Sequence, residues 1–188
     1  MNRVILSAST DETILAVTRQ HKLVDLEIEQ QINTEIVGCI YKGVVKNIVP
    51  AVDGIFVDIG IGKNAFLRRK DLLNEKRFPT EGSPILAQVI KSDTDMKGAL
   101  ITEKISMFGK YAVTLSGTGY IGVSKKIRQE SVRKRLKEIG KEICAEHMGL
   151  IIRTAAENAD MDEFRKDITR LKEDWDIIQK RFRMEKSP

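Results

Sequence analysis

Two phenylalanines are the first residues in this chain placed to do chemistry. In Ile55-Phe56-Val57-Asp58-Ile59, an extended strand puts Ile55, Val57 and Ile59 on one face and Phe56 with Asp58 on the other, because successive side chains point oppositely. In Asn64-Ala65-Phe66-Leu67-Arg68 the same parity makes Ala65 and Leu67 core residues and turns Phe66 outward. Aromatic residues are only 5% of the chain, so two outward rings on adjacent strands call for a role. Nucleic-acid bases stack on such rings for roughly 1–3 kcal/mol each, whatever the base. The alternative is that another segment covers one or both rings.

Other candidates read more blandly. Asp93 and Asp95 form an Asp-x-Asp in a loop with Lys91 and Lys97. No third ligand follows at a spacing that would complete a cation site, so a solvated polar loop is the simpler reading. Gly117 and Gly119 lack the strand-to-helix context of a phosphate-binding glycine loop. Lys125, Lys126, Arg128, Arg133, Lys134 and Arg135 are the densest positive run, either an anion-facing patch or a solvated helix face. Leu150-Ile151-Ile152 ends in Arg153-Thr154; taken alone, Arg153 would pair with Glu157 or a neighbouring carboxylate.

The chain has 188 residues, net charge +5 and pI about 9.2, which suits a polyanionic partner and a globular core. Cys39 and Cys144 stand far apart with no CxxC, so a disulfide framework or cysteine zinc site is not expected, and a reducing compartment fits. There is no run of about 18 apolar residues and no signal-peptide pattern, from which a cytoplasmic protein without a membrane segment is expected.

Three groups of elements follow. Residues 2–30 read as a three-stranded meander with turns at Thr10-Asp11-Glu12 and Gln20-His21-Lys22, and His21 as a turn residue. Val24, Leu26 and Ile28 alternate with Asp25, Glu27 and Glu29, so the third strand should be half-buried. Five strands near 39–49, 53–60, 64–68, 85–91 and 98–104, with a short helix near 69–76, suit an OB-type barrel. A hairpin at Tyr111–Leu115 and Tyr120–Lys125 comes next. A helix over Gln129–Glu146 shows Val132, Leu136, Ile139 and Ile143 as one stripe and stops at Gly149. Last is a helix over Met161–Arg183, with Asp160 and Glu163 as a capping pair. Phe164, Ile168, Leu171, Trp175, Ile178 and Phe182 step along it as heptads, either the back wall of this domain or a coiled-coil seam.

The ordered segments IYKGVV, GIFVDIG, NAFL, KGALIT and GLIIRTAAE resemble the N-terminal half of the ribonuclease E/G family of bacterial endoribonucleases, from the first residues to about Lys180. The resemblance implies an α+β chain: residues 1–37 as a meander belonging to a ribonuclease H-like subdomain, 38–105 as an OB-type RNA-binding barrel, and 106–188 as a 5′-sensor domain with a long C-terminal helix. The meander's partner strands lie beyond the sensor in that family. It should therefore pack on the C-terminal helix or leave an apolar face open. Phe56, Phe66 and Lys97 would contact RNA, Lys97 on the channel rim neutralising a phosphate. Lys42, Lys46, Arg68, Arg69 and Lys70 could extend that track. Gly109, Val113, Arg153 and Thr154 would surround a 5′-monophosphate, Gly109 leaving room for a base. An Arg fork can hold two phosphate oxygens and a Thr hydroxyl can donate a third bond. Lys125-Lys126 stands where the family carries two arginines, keeping the charge without the fork.

The family's magnesium-holding acidic residues and zinc-holding cysteines have no match here, so this chain should contain no catalytic residues or metal site, and magnesium and zinc belong to the full-length protein it resembles. The implied assignment is a fragment, or truncated member, that binds single-stranded RNA, preferably 5′-monophosphorylated, without cleaving it. The full-length form would be a homo-oligomeric endoribonuclease of ribosomal RNA maturation and messenger turnover. A stand-alone OB-type module would explain the barrel but not Arg153-Thr154. An assembly domain would use the heptad helix as its interface.

Overall fold

The computed structural model describes residues 2–9, 12–30, 36–94, 96–144 and 148–187. The chain divides into two compact units between Ile36 and Val37. The first is an antiparallel meander of β1 (Asn2–Ala8), β2 (Glu12–Arg19) and β3 (Lys22–Gln30). Gln20 and His21 turn it with φ of +50° and +65°, the left-handed pair whose twist suits a two-residue hairpin. The first turn, at Thr10 and Asp11, lies outside the described residues. The expected burial of one face of β3 is not completed within this unit: Val24, Leu26 and Ile28 stay at 55%, 50% and 52% exposure. The register explains why. Ile5, Ala16 and Leu26 share one face while Leu6 and Leu15 share the other, so apolar residues lie on both sides of a single sheet.

In the second unit, β4 (Ile40–Val49), β5 (Gly54–Asp58), β6 (Ala65–Arg68), β7 (Pro84–Lys91) and β8 (Leu100–Thr102) close into a barrel in the order β4-β5-β6-β8-β7. Only the β6–β8 pairing is parallel. Alternation fills the interior as expected: Ile55, Val57, Ile59, Ala65 and Leu67 are buried. This is the OB-type architecture. The helix expected near 69–76 is instead one 3-10 turn, Arg69–Asp71, followed by irregular chain. Side chains take the bonds a helix would need. The Glu103 carboxylate accepts from Leu73 N–H, the Asn74 side chain accepts from Lys76 N–H, and Lys104 donates to the Lys70 carbonyl.

Beyond the barrel, β9 (Ser106–Phe108), β10 (Ala112–Ser116), β11 (Ile121–Val123) and β12 (Met148–Ile152) form a sheet ordered β11-β12-β10-β9. β10 and β11 are therefore not a hairpin. β12 inserts between them, antiparallel to β10 and parallel to β11. Its Met148, Leu150 and Ile152 are buried, and a central position suits so apolar a strand. Helix α1 (Glu130–Ile143) ends at Cys144, short of the expected stop. Gly149 instead lies inside β12, where a Cβ would stand 2.7 Å from Thr118 Cγ2 and 3.0 Å from the Tyr120 carbonyl oxygen. The glycine serves close strand approach, not helix termination.

Helix α2 (Met161–Met184) starts on Asp160, whose Oδ1 accepts from the N–H of Asp162 and Glu163 at 2.9 and 3.1 Å. Phe164, Ile168 and Leu171 sit in one core with Leu136 and Ile139 of α1 and Leu150 and Ile152 of β12. Trp175 and Phe182 continue the stripe along a groove that Leu73, Ile85 and Ile105 also line. The stripe is thus the back wall of this domain. A coiled-coil seam would need the same buried residues free.

Two polar devices join the second sheet and α2 to the barrel. Gln88 Nε2 donates to the Ser106 carbonyl at 3.0 Å, and its Oε1 accepts from Ser106 N–H at 2.9 Å. Lys42 Nζ donates to the Phe182 carbonyl at 2.7 Å and to that of Glu185, and lies 5.1 Å from the Phe182 ring centroid. A cation on the last carbonyls complements the negative end of the helix. Lys42→Met is expected to lower the stability of this chain by about 1 kcal/mol, read as an earlier denaturant midpoint with an unchanged slope.

Both cysteines are free. Cys39 is exposed, whereas burial pushes the Cys144 thiol up to about 11. A maleimide at neutral pH is expected to label Cys39 fast and Cys144 only on unfolding, because the thiolate is the nucleophile. Equal rates on the folded chain would contradict this packing.

Candidate nucleic-acid interface

On the barrel's outer face, β5 and β6 pair Phe56 directly with Phe66, ring centroids 5.4 Å apart and planes tilted by 52°. Both side chains are half-buried, each covering part of the other. Glycine at position 54 is what lets the Phe66 ring lie over β5: a Cβ there would stand 2.2 Å from Phe66 Cζ. Lys97 is exposed in the loop entering β8, two residues before Ala99, whose carbonyl accepts from Phe66 N–H at 2.7 Å. No carboxylate pairs with Lys97 among the described residues. The two rings and Lys97 therefore belong to one end of the β5–β6–β8 surface.

Four of the five cations expected to extend the track have partners within the chain. Lys46 pairs with Asp58 at 3.2 Å, and Gly60 N–H with Lys46 holds that carboxyl below the usual range. Arg68 pairs with Asp71. Arg69 pairs with Asp53 and stacks 3.7 Å from the Phe78 ring centroid. Lys42 caps α2. Of these five, only Lys70 is exposed with no ion pair among the described residues. Asp93 faces Lys63 at 3.7 Å, Asp95 lies outside the described residues, and among those described no three His, Cys, Asp or Glu side chains group to hold a metal.

The second cluster forms at the end of β12. Arg153 and Thr154 are both exposed. Arg153 Nη1 donates to the Gly109 carbonyl at 2.9 Å, and no carboxylate lies within ion-pair distance of it among the described residues. The Glu157 pairing is thus not made, and among the described residues the guanidinium has no other hydrogen-bond partner. Val113 pairs with Phe108 on one side and Ile151 on the other, which places it beside the same end of the sheet. At Gly109 a Cβ would stand 2.6 Å from Asp167 Oδ2, so the absence of a side chain leaves room for that carboxylate.

That carboxylate fixes the loop. Asp167 accepts from Lys110 N–H at 3.1 Å and Tyr111 N–H at 2.7 Å. One turn earlier on α2, Glu163 accepts from the Tyr111 hydroxyl and from Lys110 Nζ at 3.1 Å. The Tyr111 hydroxyl, then Lys110, hold the Glu163 carboxyl below its usual range. The i, i+4 spacing of Glu163 and Asp167 is a signal that could have found this anchor.

Of the positive run, Arg133 is not part of a solvated face. Its Nη1 donates to the carbonyls of Ser124 and Ile127 at 2.8 and 2.9 Å, stapling the turn that bears Lys125 and Lys126. Those two lysines are exposed and have no ion pairs among the described residues. Ser124 Oγ lies 3.1 Å from Thr154 Oγ1, so this turn borders the Arg153-Thr154 cluster.

Residues 34–102 match the S1 RNA binding domain, and residues 106–188 match the Ribonuclease E/G family. The chain is 34% identical over 195 aligned positions to a protein named Ribonuclease G from Escherichia coli (strain K12), covering 95% of this chain and 40% of that protein. A Ribonuclease G from Haemophilus influenzae gives the same identity and the same two shares. A Ribonuclease E from Synechocystis is 33% identical over 86% of this chain and 26% of its own length. The chain thus spans about two fifths of the ribonuclease G relatives it matches. No helix among the described residues is long and apolar enough to cross a membrane.

Proposed function

We propose that this chain, which carries an S1 RNA-binding domain followed by a ribonuclease E/G family domain, grips single-stranded RNA and reads the phosphorylation state of its 5′ end. The barrel, 38–105, is the grip: Phe56 and Phe66 stack bases and Lys97 neutralises a phosphate. Residues 106–188 are the sensor. There Arg153 supplies a planar fork and Thr154 a hydroxyl donor to a 5′-monophosphate, with Gly109 and Val113 beside them. The observation that carries this is the Arg153 side chain: exposed and, among the described residues, without a carboxylate and with one hydrogen bond, to the Gly109 carbonyl.

In the full-length protein the same residues would place RNA for an endoribonuclease acting on ribosomal precursors and messengers in the cytoplasm. That protein would be a homo-oligomer, with magnesium to activate water and zinc held by cysteines. No residue here matches those catalytic or zinc positions, so this chain alone binds RNA without cleaving it. The test is fluorescence anisotropy of a short labelled single-stranded RNA with magnesium present, followed by electrophoresis of the same RNA. Saturable binding with intact RNA is expected. A monodisperse dimer with no RNA affinity, or RNA turnover by this chain, would overturn the proposal.

A further inference from the structure

We infer that Ser124 is a positioning residue that turns the Thr154 hydroxyl outward as a donor, with Arg133 holding Ser124 in place. The inference rests on the 5′-phosphate reading of Arg153-Thr154 and extends it to residues outside that pair.

Ser124 is fixed at each of its polar atoms. Its N–H donates to the Ile152 carbonyl at 2.8 Å, tying it to the end of β12 next to Arg153. Its carbonyl accepts from Ile127 N–H at 3.1 Å and from Arg133 Nη1 at 2.8 Å. Its Oγ accepts from Lys126 N–H at 3.3 Å. The remaining contact of that hydroxyl is Thr154 Oγ1 at 3.1 Å. A serine hydroxyl has one proton. With Lys126 N–H on its oxygen, Ser124 has its own proton to give, and Thr154 Oγ1 is the acceptor within reach. Thr154 then acts as acceptor toward Ser124, and its own proton is directed away from Ser124, where the Thr154 hydroxyl has no other hydrogen-bond partner among the described residues.

Arg133 makes the arrangement durable. Its guanidinium also reaches the Ile127 carbonyl at 2.9 Å and the Val123 carbonyl at 3.5 Å. Three carbonyls from a five-residue stretch thus converge on one half-buried cation. The same turn carries Lys125 and Lys126, so fixing Ser124 also fixes where those two charges leave the backbone. A lysine pair cannot form the bidentate contacts of arginines. A preset hydroxyl donor at Thr154 therefore matters more here.

The experiment is the ratio of affinities of this chain for the same short RNA with a 5′-monophosphate and with a 5′-hydroxyl, at one fixed salt. It is run for wild type, Ser124→Ala, Ser124→Thr, Ser124→Val and Arg153→Ala, with circular dichroism on each. Ser124→Ala and Ser124→Val are expected to lower the ratio roughly three- to tenfold, the range for losing one oriented hydrogen bond. Ser124→Thr keeps the hydroxyl in the same shape as valine and is expected to retain the ratio, which a merely structural role would not reproduce. A wild-type ratio in Ser124→Val beside a lost one in Arg153→Ala overturns this inference and leaves the phosphate reading standing. Equal losses for both RNAs overturn it too. A wild-type ratio near one would remove both.

Discussion

Arg153→Ala is expected to weaken binding of a 5′-monophosphorylated RNA about tenfold or more while leaving a 5′-hydroxyl RNA nearly as it was. The magnitude follows from removing charge-assisted, forked hydrogen bonds, which contribute about 1.5–3 kcal/mol when well formed. Exposure of Arg153 argues for the lower end. Among the described residues the Arg153 side chain makes one hydrogen bond, to the Gly109 carbonyl, so the fold should survive the substitution with its denaturant midpoint nearly unchanged. Arg153→Lys keeps the charge but not the fork and should fall between wild type and alanine. Equal weakening of both RNAs would mean that Arg153 meets an internal phosphate rather than the end.

Phe66→Ala is expected to act on the other half of the interface. It should weaken both RNAs alike, by about tenfold, since one stacked base contributes roughly 1–3 kcal/mol. The slope of affinity against salt should stay as in wild type, because ring stacking releases no counterions. Lys97→Ala should do the reverse, with a smaller loss and a shallower salt slope. Phe66 also lies against Phe56 and over Gly54, so its removal opens space on β5. Phe66→Leu fills that space without a base-stacking face and separates packing from recognition. If Phe66→Leu binds as wild type does, the ring is packing material and the stacking role is lost.

Alternation made the barrel legible. Ile55, Val57, Ile59, Ala65 and Leu67 obey a period of two, and turn residues bound each run, so both the core and the outward parity of Phe56 and Phe66 could be read directly. The stripe of α2 was equally plain, and burial of Phe164, Ile168 and Leu171 decided what it packs on. Long-range order was not legible. Nothing in Tyr111–Lys125 says that β12 will enter between β10 and β11, because the pairing depends on a strand about 30 residues later. Gly149 looked like a helix stop because a glycine's local freedom is visible in sequence and its spatial neighbours are not. The helix near 69–76 lost to side-chain bonds from Glu103 and Lys104, likewise distant in the chain.

The site divided in the same way. Arg153-Thr154 at a strand end was visible, and that no carboxylate among the described residues pairs with it became apparent only with the neighbours in place. Lys42, Lys46, Arg68 and Arg69 all read as surface cations, and each has a partner, distant in sequence for all but Arg68, whose Asp71 lies three residues on. In sequence Arg133 reads only as one cation of a basic run and Asp167 as one more helix carboxylate, because their work is done on backbone atoms: three carbonyls for one, two N–H groups for the other. Such bonds leave no residue pattern, though the Glu163–Asp167 spacing hinted at them.

The most direct measurement is the affinity of the unaltered chain for one short single-stranded RNA carrying either a 5′-monophosphate or a 5′-hydroxyl, by anisotropy at a single moderate salt concentration. Tighter binding of the monophosphate, about tenfold, is the expected result. Equal affinity for the two would contradict the sensor, leaving a barrel that holds RNA and an Arg153-Thr154 pair that does not read its end.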